Sequence, residues 1–144
     1  MSKKDIVLKR VFKLSKRELF DAWSKPELMC RWFFATRERP ASCSVENSFV
    51  TQGDFKLVMH LSNMDVNIFG KYTEINRYNI ISFSWNSPAV SDTLVTLKFR
   101  ELSASRTELT LIHQLLPDQT LRDQHTEGWN ACFDNLAELE GVVE

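Results

Sequence analysis

From about residue 41 to residue 116 the apolar side chains fall on every second position, in one short segment after another. "GDFKLVMHL" sets Phe55, Leu57, Met59 and Leu61 against Asp54, Lys56, Val58 and His60. "DVNIFGKYTEI" begins after Ser62-Asn63, a dipeptide suited to a tight turn. "YNIISFSW" places Ile81, Phe83 and Trp85 on one side, and "DTLVTLKFRE" does the same with Val95, Leu97 and Phe99. In "RTELTLIHQLL" the apolar side carries Leu109, Leu111, His113 and Leu115. Strands with one apolar face each are what an antiparallel sheet needs when one side is wet and the other covered.

The flanks must supply the cover. "DIVLKRVFK", residues 5–13, is rich in β-branched residues and reads as a further strand. "SKRELFDAW" follows, with Ser15 and Glu18 spaced as a capping box and Leu19, Phe20 and Trp23 on one helical face. "SKPE" repeats the device with Ser24, Pro26 and Glu27, ahead of Leu28, Met29 and Trp32. Pro26 lacks an amide donor and clashes with the preceding turn, so two short helices are expected and not one long one. After Pro117, Asp118 is a suitable N-cap for a last helix bearing Leu121, Trp129, Cys132, Phe133, Leu136 and Leu139, with Gly141 as its stop. The expected architecture is one α+β domain over residues 1–144: a curved antiparallel sheet of six or seven strands wrapped around a long C-terminal helix, with two short helices after the first strand. A helix about 10 Å wide cannot fill the hollow of such a sheet. The aromatic segment "FDAWSKPELMCRWF" is therefore expected to help close it, Trp23 as core and Trp32 at the rim.

Composition removes several function classes. Eighteen basic and 19 acidic residues leave a net charge of −1, without the electrostatic footprint of a nucleic-acid binder. The basic amino end (Lys3, Lys4, Lys9, Arg10, Lys13, Lys16, Arg17) reads as a solvated face. No stretch reaches the roughly 18 apolar residues of a membrane span, and "MSKKDIVLKR" becomes charged again too soon for a signal peptide. Cys30, Cys43 and Cys132 are odd in number and widely spaced, so reduced thiols and a cytoplasmic location are expected.

The pieces "SKRELFDAWSKPELMCRWF", "GDFKLVMH", "GKYTEINRYNIISFSW", "LVTLKF", "TELTLIHQLLP" and "HTEGWNACFDNLAELE" together resemble the helix-grip fold of the START and birch-pollen-allergen (SRPBCC) superfamily. Within it they are most similar to homologues of the Hsp90 ATPase activator's carboxy-terminal domain. The resemblance runs from about Ile6 to Leu139. The chain departs from the usual pattern at "QGDF", with Gly53 where the family often has two glycines, and at Phe33-Phe34, where a second Trp is common. The resemblance implies a cavity between the last helix and the sheet that accepts a small hydrophobic or amphipathic molecule, and it leaves open a chaperone partner.

Ligand-lining residues expected on this basis are Trp32, Met59, Phe69, Tyr72, Phe83, Trp85, Val95, His113, Trp129 and Phe133. No catalytic residue, metal ligand or cofactor is assigned. His113 lies on an inward parity and reads as a hydrogen-bonded wall residue; His125, one helical turn before Trp129, reads as a helix-edge or mouth residue. Tyr72 and Glu74 share parity with Val66 and Ile68, although Phe69 and Ile75 fall on the other side, which suggests a bulge near Gly70. An inward Glu74 would have a raised pKa and could act as an acid; near its strand end it more simply reaches solvent. Three functions follow: a carrier or sensor of a small apolar ligand, a chaperone-linked interaction protein, and an enzyme of the superfamily type such as a cyclase or hydrolase. Against the last, no GxSxG, HExxH, P-loop or GxGxxG is present.

Overall fold

The computed structural model describes residues 5–32, 42–60 and 64–139. In chain order the elements are β1 (Ile6–Phe12), α1 (Lys16–Ala22), α2 (Pro26–Trp32), β2 (Ser42–Asn47), β3 (Asp54–His60), β4 (Asp65–Asn76), β5 (Ile80–Trp85), β6 (Thr93–Ser103), β7 (Arg106–Gln114) and α3 (Gln119–Ala137). The seven strands form one antiparallel, curved sheet in the order β1-β7-β6-β5-β4-β3-β2. With α3 gripped against it, this is the helix-grip α+β architecture. The expected Ser62-Asn63 turn, the Phe33-Phe34 departure and the Gly141 stop lie outside the described residues.

Local chemistry explains where the helices start. Ser15 accepts from Glu18 N at 3.1 Å and Glu18 returns a carboxylate oxygen to Ser15 N at 2.8 Å, so the capping box forms as the spacing requires. The second box does not form around Ser24. Its backbone N–H and its hydroxyl both turn back to Asp21 O, closing α1, and the Lys25 carbonyl instead accepts from Leu28 N and Met29 N to open α2. Pro26 takes the first helical position, where its missing donor costs nothing. Asp118 caps α3 by accepting from Leu121 N at 2.9 Å.

The period-two reading holds for β3, β5, β6 and β7, with Phe55, Leu57, Met59, Ile81, Phe83, Trp85, Val95, Leu97, Phe99, Leu109, Leu111 and His113 all buried. Phe69, counted among the ligand-lining residues although its parity is opposite to that of Ile68 and Tyr72, is 51% exposed on the outer face, because Ile68, Gly70 and Tyr72 hold the inward positions of β4. The alternation itself fails at Leu115. Leu115 is 68% exposed: β7 ends at Gln114, and a left-handed backbone at Leu115 (φ 70°) turns the chain so that Leu116 points inward instead. The register shift in β4 sits between Tyr72 and Glu74, a few residues past Gly70, and Glu74 is exposed beyond it. Cys30 is disulfide-bonded, which corrects the expectation of three reduced thiols; separation along the chain does not measure distance in the fold. Cys132 is a buried thiol outside any disulfide.

Candidate functional site

The inner face of the sheet is paved with rings. Tyr72 meets Phe49 at 4.9 Å and Phe55 at 5.5 Å, Phe55 meets Phe83 at 5.2 Å, and Phe83 leads on to Trp85 at 6.5 Å. Trp85 is 4.9 Å from Trp129 of α3, and Trp129 is 6.0 Å from Trp23, which stands 4.3 Å from Trp32. Such contacts favour edge-to-face or tilted geometries, and these ring pairs, with interplanar angles from 36° to 81°, adopt them. Trp32 is core and not rim: it is fully buried, donates its indole N–H to Ala22 O at 2.9 Å and accepts on its carbonyl from Asn135. Phe133 packs edge-on against Phe12 at 5.8 Å, with the Arg10 guanidinium 5.4 Å from its ring centre. Val95 and Met59 are buried on the same inner face.

His113 is the polar centre of this apolar layer. The Trp129 indole N–H donates to His113 Nδ1 at 3.0 Å, so Nδ1 bears the lone pair. The ring proton is then on Nε2, 2.9 Å from Thr93 Oγ1, and the Thr93 hydroxyl donates in turn to Trp85 O at 2.9 Å. Every group in the chain is used, and the tautomer is set by the partners. Burial first, and then repulsion from His125, drive the His113 pKa down to about 3, so the ring is neutral. His125 stands 5.2 Å from His113 with its ring nearly perpendicular, at 89°. Its Nδ1 is 2.8 Å from Leu121 O, and since a carbonyl only accepts, Nδ1 carries the proton. Thr93 went unnoticed in the sequence, although it shares the inward parity of Val95, Leu97 and Phe99.

A second buried polar group lies at the far end of the ring layer. The Tyr72 hydroxyl accepts from Asn47 Nδ2 at 3.1 Å, and the same amide donates to Ser24 O at 2.8 Å. Burial raises the Tyr72 pKa, and the Asn47 donation opposes that in part. Among the described residues no group of three His, Cys, Asp or Glu side chains could hold a metal ion, and no helix is long and apolar enough to cross a membrane. Both His113 nitrogens are engaged by the protein. Two recesses bounded by described residues lie elsewhere: one of about 470 Å3 beside Lys56, Asn67 and Phe69 on the outside of β3 and β4, and one of about 520 Å3 between the β5–β6 loop and Leu115.

The fold has many counterparts. A protein from Chromobacterium violaceum matches with a TM-score of 0.80 at 21% identity, covering 94% of this chain and 96% of its own. An AHSA1-like protein from Aeromonas hydrophila gives 0.80 at 18% identity, over 96% and 93%. An HSP90 activator from Plasmodium falciparum gives 0.74 at 20% identity, over 96% and 94%. At these identities the likeness is one of fold. No curated protein matches the chain. The family model described as activator of Hsp90 ATPase homolog 1-like protein matches residues 13–141. That match takes in both short helices, β2 to β7 and all of α3, and the chain belongs to the activator of Hsp90 ATPase homologue 1-like family.

Proposed function

We propose that the chain is a binding protein that holds a small apolar or amphipathic molecule between α3 and the inner face of β3–β5. The observation that supports this is the lean of the helix. α3 packs against β1 and α2, through Phe133 on Phe12, Asp134 paired with Arg10 at 2.8 Å, and Asn135 donating to Trp32 O. The apolar floor made by Leu57, Met59, Ile68 and Phe83 belongs to the opposite half of the sheet. Tyr72, in ring contact with Phe55 and Phe83, and His125, in ring contact with Trp85, are the polar side chains bordering that floor. An aromatic wall with a few polar groups suits an amphipathic ligand.

The test is thermal and chemical unfolding with a panel of fatty acids, sterols and aromatic acids, together with native mass spectrometry of the purified chain. A ligand at 100 times its Kd raises stability by about 2.7 kcal/mol. Leu57→Trp, which adds bulk at the fully buried floor, is expected to remove the shift. No stabilisation by any member of the panel and a clean protein mass would defeat the proposal.

A second reading is association with an Hsp90-type chaperone, favoured by the family's description and by the fold shared with the Plasmodium activator. It uses the outer surface, so Leu57→Trp would leave it intact. Stimulation of a chaperone's ATPase by the chain is the measurement, and no stimulation together with no binding at micromolar concentration would remove it.

A further inference from the structure

On the outer face of the sheet, away from the aromatic interior, β2, β3 and β4 bring together three side chains that nothing in the sequence connects. His60 closes β3 and pairs across the hairpin with Asp65, the first residue of β4, and its Nδ1 lies 3.0 Å from Asp65 Oδ1. Ser44 of β2 sits on the neighbouring rung, opposite Val58, with its Oγ 3.3 Å from His60 Nε2. An ionised carboxylate can only accept, so Nδ1 holds the imidazole proton and Nε2 turns its lone pair to the Ser44 hydroxyl. Hydroxyl, imidazole and carboxylate thus stand in the order in which an activated serine works, an arrangement recognised by geometry and roles and not by sequence motif. We propose that Ser44, His60 and Asp65 form an acyl-transfer site on this face, taking small activated carboxylic esters.

The surface beside it offers a place for the acyl group. Ser44 shares its rung with Val58 and Asn67, and the next outward-facing rung carries Lys56 and Phe69. Outward rungs are about 7 Å apart, two residues of strand rise, so a short acyl chain on Ser44 reaches the exposed Phe69 ring. The recess of about 470 Å3 lies at that rung, lined by Lys56, Asn67 and Phe69 among others. This accounts for an aromatic side chain that the fold itself leaves outside.

In the reaction, Ser44 Oγ attacks the ester carbonyl carbon as its proton passes to His60 Nε2. The tetrahedral adduct collapses, the C–O bond to the alcohol breaks, and the departing oxygen takes the proton from His60. Ser44 is left as an acyl ester. Water then attacks it, giving its proton to His60, and Ser44 leaves as the hydroxyl with that proton, so ester and water become acid and alcohol. Asp65 holds the ring in the right tautomer and faces the imidazolium when it forms. His60 and Asp65 are both substantially exposed, so the site lacks the water-excluding enclosure that strengthens transition-state contacts. Slow turnover of aryl esters is expected, and not amide cleavage.

The experiment follows p-nitrophenolate release from p-nitrophenyl acetate and butyrate, with peptide mapping of any acylated residue. Release by the native chain above that of Ser44→Ala, with the acyl group on Ser44, is the expected result. His60→Gln is expected to slow acylation by about 100-fold, the usual lower contribution of a positioned base. Asp65→Asn is expected to slow it less, and Phe69→Ala to slow butyrate more than acetate. His60-dependent acylation of Ser44 supports the site even where release of the acid is slow. Ser44, Asp65 and Phe69 are exposed and His60 is half-buried, and an unchanged urea midpoint shows that each variant folds. Equal rates in native and Ser44→Ala chains, or acyl groups only on lysines and histidines, would overturn the proposal and leave the three residues as a hairpin clamp.

Discussion

The indole of Trp129 donates to Nδ1 of His113 across 3.0 Å, joining the middle of α3 to the end of β7 inside an apolar layer. Hydrophobic contact alone would let a helix slide along a curved sheet, because apolar burial is not directional. A buried hydrogen bond is directional, and leaving its partners unmet is costly. The continuation through Thr93 to Trp85 O makes α3, β5, β6 and β7 depend on one arrangement of protons.

Acid should expose that dependence. The unfolded chain gains a proton on His113 as the pH falls through about 6.5, whereas the native ring stays neutral until about 3. Within that window the unfolded state binds more protons, so unfolding free energy falls by about 1.4 kcal/mol for each pH unit lost. Above 6.5 this group adds no slope. Urea titrations from pH 7 to pH 4 are expected to show the decline in the native chain, and His113→Gln is expected to flatten it. Equal slopes in both chains would mean that the ring is protonated in the fold.

Removing single donors should unbalance the same chain. Trp129→Phe keeps an aromatic ring but deletes the N–H and part of the buried indole, leaving Nδ1 without a donor, at a cost of at least about 1–3 kcal/mol. Thr93→Val deletes the acceptor for Nε2 and is expected to cost a similar amount. Because both act on His113, the double variant should lose less than the sum, with a coupling of about 0.5–3 kcal/mol. Strict additivity in denaturant unfolding would show that the two bonds are independent.

How far this architecture was legible depends on what kind of contact carries it. Alternation placed Leu57, Phe83, Val95, Leu97 and Leu111 correctly, since one buried face suffices to set it. It misplaced Leu115, where a positive φ breaks the parity, and the size of Phe69 concealed that Gly70 takes the inward place beside it. Trp32, the last residue of α2, reads from its place in the sequence as rim, yet a bond to Ala22 O seats it in the core. The His113 chain needs the register that sets Trp85 opposite Thr93 and Val95 opposite His113, which no local pattern encodes. Ser44, His60 and Asp65 were silent for the same reason, being neighbours only once two hairpins have paired.

Gly70 tests the inward side of β4. A Cβ there would stand 1.9 Å from Ser84 O and 2.9 Å from an edge carbon of the Phe55 ring. The first obstacle is backbone of the adjoining strand, so relief requires β4 and β5 to part. Gly70→Ala is expected to destabilise by about 3 kcal/mol, the upper range for overpacking. An unchanged urea midpoint would show that the two strands separate freely at this rung.

Leu115 points the other way. Its left-handed backbone, φ 70°, costs a residue with a Cβ about 1–2 kcal/mol. Its side chain is 68% exposed and so recovers little of that by burial. Glycine removes the steric cost but adds about 0.5–1 kcal/mol of chain entropy in the unfolded state. The difference favours Leu115→Gly by a few tenths to about 1 kcal/mol, a small gain from truncating a large apolar residue. Leu115→Ala separates the two contributions: it gives up the same contacts while keeping the strained Cβ, and is expected to be neutral or slightly destabilising. Urea midpoints ordered with the glycine variant highest would fit a turn held in place by the flanking β7 and α3. A loss of stability on Leu115→Gly would instead mean that the leucine side chain, packed along the recess beside Pro88 and Pro117, anchors the start of α3.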